Sequence, residues 1–102
     1  MQAVYLLHFV EPISKKHTTQ HYLGYGSDVD VRIQQQRRGK KNIAANLCHV
    51  AKRRRIRFVV AKLWIDGDRK LERQLKNKKN HRKLCPICNG TIPSLDQDIN
   101  FY

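Results

Sequence analysis

Two stretches of this chain, Ala3 to Val10 and Ile56 to Ile65, are largely apolar at both alternating sets of positions. Ala3, Tyr5, Leu7 and Phe9 alternate with Val4, Leu6 and Val10. Ile56, Phe58, Val60 and Trp64 alternate with Val59, Ala61, Leu63 and Ile65. A strand half-exposed to water shows apolar residues on one face only, so each run predicts a strand covered on both faces. With 102 residues there is material for one core, and both strands must share it.

The intervening segments fit that frame. Glu11-Pro12 ends the first run, and a second short strand is expected over Gln20 to Gly24, antiparallel to the first, bringing Tyr5 and Tyr22 near one another. Ser27 or Asp28 is placed to cap a helix from Val29 to Arg38 with Val29 and Ile33 inward and Gly39 as its stop. A second helix is expected over Asn42 to Arg54, where Ile43, Leu47, Val50 and Ala51 recur at helical spacing. Asp66-Gly67-Asp68 reads as a turn, with Asp68 capping a third helix from Arg69 to about Lys79 whose apolar contacts are Leu71 and Leu75. The expected fold class is α/β: a small three-stranded, mainly antiparallel sheet flanked by helices. Residues 1–83 form the domain, and a Cys-Pro-Ile-Cys turn with the tail (84–102) packs on it or extends from it.

The charge selects a partner. Lys and Arg number 21 against 8 Asp and Glu, a net charge of +13. The basic residues fall in runs that suit a phosphate-tracking surface: Arg37, Arg38, Lys40 and Lys41; Arg53, Arg54 and Arg55; and Lys76 and Lys79. Such contacts carry affinity and little sequence information, so low specificity is expected. Nothing approaches the roughly 20 apolar residues of a spanning helix, and a membrane partner is not expected. The N-terminal run lacks a basic lead and a cleavage site, so an intracellular protein is expected, cytoplasmic or nucleoid-associated.

Ala3-Val4-Tyr5, Tyr22-Leu23-Gly24, Arg32 and Glu72 occur in an order and placement that resembles the GIY-YIG nuclease superfamily. Ala3-Val4-Tyr5 stands at its Gly-Ile-Tyr position and Tyr22-Leu23-Gly24 at its Tyr-Ile-Gly position. Asp28 to Arg32 is similar to its first-helix motif, and Leu71-Glu72-Arg73 to the helix bearing its metal-binding glutamate. The likeness covers roughly Ala3 to Asn80. It implies Tyr5, Tyr22, Arg32 and Glu72 as catalytic residues, with one of the phenols taking a proton from water. Gln36 stands where that family often has a histidine, and Gln36 and Asn80 are accessory candidates.

The residue types suit this chemistry by themselves. In-line attack on a phosphodiester needs an activated water and stabilisation of the charge that develops on phosphorus oxygens. Glu72 could hold Mg²⁺ or Mn²⁺, with Asp28 the only other acid near the motifs. Arg32 is a fixed planar donor for phosphate oxygens, and its charge favours a phenolate nearby. The expected function is metal-dependent endonucleolytic hydrolysis of DNA, with RNA left open as a substrate. The rival is a non-catalytic basic nucleic-acid-binding protein, or an adaptor or inhibitor, on the same scaffold. Whether two chains pair, as a dimer, is left open.

Cys85 and Cys88 are half of a tetrahedral zinc site, because two thiolates two residues apart across a tight turn can share one ion. His81 is a third candidate ligand, and Cys48, His49 or a second chain candidates for the fourth. A reduced, metal-free pair is the alternative. The odd cysteine count argues against a disulfide framework.

Overall fold

In the computed structural model, residues 1–13, 20–78 and 81–88 are described, His81 and Arg82 by their backbone alone. Strand β1, Ala3–Phe9, is buried at every position. It is the centre of a three-stranded antiparallel sheet of order β2-β1-β3, with β2 at His21–Gly26 and β3 at Phe58–Ile65. The pairing sets Tyr5 opposite Gly24, Leu7 opposite Tyr22 and His8 opposite His21.

Each face of the sheet has its own cover. Ala3, Tyr5, Leu7 and Phe9 point to one face, where they pack with Val29 and Ile33 of α1 (Val29–Arg38) and Cys48 and Ala51 of α2 (Asn46–Arg53). Val4 and Leu6 point to the other, against Leu23, Ala61, Leu75 of α3 (Arg69–Asn77) and Cys85, which follows the short helix α4 (His81–Leu84). Burying a Leu or Phe completely contributes roughly 2 kcal/mol, so these two layers are the main favourable term. The double-sided apolar pattern of β1 has this physical origin.

The caps of α1 and α3 are those read from the residue types. Asp28 accepts from the Val31 amide, and Asp68 from the Leu71 amide. Gly39 adopts φ 65° and its N–H donates to Gln35 O, a left-handed stop that suits glycine.

Two elements differ from expectation. Helix α2 begins at Asn46, one turn later than Asn42, because Asn42 itself sits at φ 68°, outside helical space. Ile43, expected inside, is therefore 50 % exposed. Strand β3 is not buried on both sides along its length. A register shift opposite Leu6 and Leu7 inserts Ala61, and beyond it Lys62, Leu63 and Ile65 are exposed at the sheet edge. Val59 and Ala61 remain buried, so half of the strand fulfils the expectation.

Candidate active site and metal cluster

Strand β2 is the other edge of the sheet, and α1 and α3 approach it from opposite faces. Between them lies a cleft of about 500 Å³ lined by Tyr5, Tyr22, Arg32 and Glu72 together with Asp28, Gln35, Arg69 and Lys76. The four residues singled out from the sequence thus border one cleft, although β1, β2, α1 and α3 each supply one.

Two glycines of β2 make this packing sterically feasible. A Cβ on Gly24 would overlap the Tyr5 hydroxyl, and one on Gly26 would stand 2.8 Å from Arg32 Cβ. Without side chains there, the phenol of Tyr5 and the stem of Arg32 lie flat on the strand. The Tyr5 and Tyr22 ring centroids are 6.3 Å apart in a tilted arrangement.

Hydrogen bonds fix the first layer. Gln36, 1 % exposed, donates through Nε2 to Tyr5 Oη (2.9 Å) and accepts at Oε1 from the Ala45 amide (2.8 Å). It joins the phenol to the start of α2, which has no side-chain cap of its own. Arg32 Nη1 donates to Gln35 Oε1 (2.9 Å) and to Ile43 O (2.8 Å), so its guanidinium is anchored where it borders the cleft. Glu72 pairs with Lys76 one turn along α3 (3.5 Å), not with Arg32, and the Lys76 ammonium sits 5.7 Å from the Tyr22 ring centroid. Both carboxylates at the cleft are engaged through one oxygen each, Asp28 Oδ1 as the α1 cap and Glu72 Oε2 with Lys76.

The electrostatics oppose the phenolate expected beside Arg32. Burial pushes Tyr5 up to about 12, and the Gln36 hydrogen bond and the Arg32 charge pull the other way without offsetting it. Tyr22 is raised as well, by burial first and then by Cys48 and Glu72. Both phenols are neutral at neutral pH.

Arg37 and Arg38 end α1, and Lys40 and Lys41 follow in the turn. Arg53 ends α2, with Arg54 and Arg55 after it, and all seven are exposed. Arg37 and Arg55, with Lys52 and Arg57, line a second cleft of about 600 Å³. Lys79 and Asn80, and the side chain of His81, lie outside the described residues.

On the sheet face away from Tyr5, a separate cluster forms. His8, His21, Cys85 and Cys88 place one ligand atom each within 4.8 Å of one another, a grouping that could hold a metal ion. His8 and Cys85 are buried, and burial lowers the His8 imidazole toward its neutral form. The fourth-ligand candidates Cys48 and His49 do not take part. Cys48 is buried in the opposite core layer, with its thiol pushed up to about 12 by burial, and His49 Nδ1–H donates to Gly39 O (2.7 Å). The partners of the two thiols are instead the cross-strand histidines. His8 is the one imidazole in the largely apolar run Ala3 to Val10, and its cross-strand match to His21 was the available signal.

No family model, no curated protein and no solved structure matches this chain.

Proposed function

We propose that this protein is a GIY-YIG-type, metal-dependent endonuclease that hydrolyses phosphodiester bonds in DNA with little sequence preference. The observation that carries this reading is the meeting of Tyr5, Tyr22, Arg32 and Glu72 at one open cleft on a chain of net charge +13. A structural ion pair between Arg32 and Glu72, the plainest alternative for these two, is not favoured, because each has another partner.

Glu72 suits Mg²⁺ or Mn²⁺: it is a hard oxygen donor at the wall of a cleft with room for waters and a phosphate. Such an ion, when bound, supplies positive charge to the phosphate oxygens and lowers the pKa of a nearby hydroxyl or water. The chain's own groups do the rest. Arg32, held by Gln35 and Ile43 O, orients a phosphate oxygen by charge-assisted hydrogen bonds. Of the two neutral phenols, half-buried Tyr22 is the one that offers its hydroxyl for positioning the attacking water, while Tyr5 is buried behind it with its hydroxyl held by Gln36. Removal of the water's proton by a phenolate requires added positive charge in the cleft, because burial has raised both tyrosines. Lys76 and Arg69 border the same cleft, and the exposed cations of α1 and α2 extend the basic surface. This reading includes a second metal: the thiols of Cys85 and Cys88 have the chemistry of zinc ligands, not of magnesium ligands.

Plasmid nicking in Mg²⁺ or Mn²⁺ tests the reading. Nicking that is abolished by chelation and by Arg32→Ala supports it. A protein that binds the plasmid without cutting it in either metal leaves a cationic binder in its place.

A further inference from the structure

Three separate parts of the chain converge on the four-residue cluster: β1 through His8, β2 through His21, and the turn after α4 through Cys85 and Cys88. His8 Nδ1 lies 3.2 Å from His21 Nε2, 3.5 Å from Cys85 Sγ and 3.6 Å from Cys88 Sγ, and Cys88 Sγ is 3.2 Å from His21 Nε2. A single ring nitrogen has one proton or one lone pair in its plane, so it cannot satisfy three such neighbours by hydrogen bonding. A cation at their centre satisfies all of them.

The distances point to a tetrahedral ion. With zinc–nitrogen bonds of about 2.05 Å and zinc–sulfur bonds of about 2.3 Å, a tetrahedron has nitrogen–nitrogen edges of about 3.3 Å and nitrogen–sulfur edges of about 3.6 Å. Of the six edges, the His8–His21 separation of 3.2 Å and the His8–Cys85 and His8–Cys88 separations of 3.5 and 3.6 Å lie close to these values, the His21–Cys88 separation of 3.2 Å is shorter, and the other two pairs lie within 4.8 Å. Two thiolates and two imidazoles in a tetrahedron are a zinc set, and four protein ligands leave no open coordination position.

We propose that His8 Nδ1, His21 Nε2, Cys85 Sγ and Cys88 Sγ bind one structural Zn²⁺, and that this ion locks the β1–β2 hairpin that carries the cleft. Each thiol releases its proton to solvent as the metal binds. The ion closes loops between residues 77 and 67 positions apart and ties the Leu84–Cys88 segment to the sheet. It clamps the His8–His21 rung, the rung next to Leu7–Tyr22 and three residues from Tyr5–Gly24. Zinc therefore holds the strand register on which the two phenols depend, from the face opposite to them and without touching substrate. This last consequence rests on the nuclease reading of the cleft; the zinc centre does not.

The test uses the full chain carrying no histidine tag, purified without chelator. Metal analysis is expected to give one zinc per chain, and replacement by Co²⁺ an absorption spectrum of tetrahedral cobalt with two thiolate ligands. Cys88→Ser is expected to lose the zinc, whereas His21→Cys, which keeps four ligands, is expected to retain it. Zinc removal from the wild type is expected to lower its thermal midpoint and to speed amide exchange in β1 and β2, both restored by added Zn²⁺. Zinc well below one per chain, a cobalt spectrum without thiolate ligation, or a Cys85–Cys88 disulfide in the purified protein overturns the proposal. Should the Ser variant not fold, the wild-type cobalt spectrum still decides. A zinc-loaded protein that never cuts nucleic acid overturns the nuclease reading and leaves this centre standing; a cutting protein with no zinc does the reverse.

Discussion

The hydroxyl of Tyr5 lies against the backbone of Gly24, its partner across the β1–β2 ladder, so closely that a Cβ at position 24 would overlap it. Both the position of the phenol and the identity of the glycine follow from this one contact. The central strand brings a large aromatic side chain beneath an edge strand, and the edge strand admits it only where it carries no side chain.

Gly24→Ala is therefore expected to destabilise the protein by roughly 1 to 3 kcal/mol, the range for overpacking a buried site, and to reduce cutting more than binding. Urea unfolding checks the first part. Cleavage and plasmid-binding assays on the folded fraction check the second.

Gln36→Leu leaves the Ala45 amide without its side-chain acceptor and removes the donor to Tyr5 Oη. A cost of about 1 to 3 kcal/mol is expected for the buried groups left unsatisfied, measurable by chemical denaturation. Gln36→Glu retains an acceptor for the amide but no donor in its ionised form, and is expected to recover only part of the loss.

The Tyr5 phenol, at about 12 in the folded protein against about 10 unfolded, binds its proton more tightly in the native state. The contribution to stability is fully present below about pH 10 and is lost as pH rises toward 12, because the unfolded chain ionises first. Its size is on the order of 3 kcal/mol. Ultraviolet titration of tyrosine is expected to show a late-ionising phenol that Tyr5→Phe removes.

Nucleic-acid binding is expected to weaken steeply with salt, since the exposed cations meet phosphates and release counterions. Replacing Arg37 and Arg55, which share the second cleft, by Gln is expected to lower the slope of log affinity against log salt by about 2, if each meets one phosphate. Filter binding or anisotropy across a salt series measures it.

Much of the sheet was legible in the residues. The apolar alternation of Ala3 to Val10, interrupted only at His8, marks the central strand, and Asp28, Gly39 and Asp68 mark helix ends through local hydrogen bonding that any context preserves. The limits of β3 were not legible. Its residues are as apolar as those of β1, but the insertion at Ala61 and the position at the sheet edge, both set by tertiary pairing, leave Leu63 and Ile65 uncovered. The late start of α2 depends on the left-handed turn at Asn42, and a single asparagine does not announce that.

The metal cluster was half legible for a similar reason. Cys85 and Cys88 are a local motif, whereas His8 and His21 become ligand candidates only once the β1–β2 register places them opposite each other on the face that Cys85 covers. The cleft residues come from four elements as well, yet their order and placement along the chain were informative, because they resemble a known arrangement.

The proposed nuclease site stands or falls on the single-turnover rate of phosphodiester hydrolysis in Mg²⁺ by the wild type and by Glu72→Gln, with the fold of each verified. Measurable cutting by the wild type is expected, with a fall of about 10² or more when the carboxylate proposed to hold the metal becomes an amide and with plasmid binding retained. Equal rates in the two proteins would contradict the proposed site.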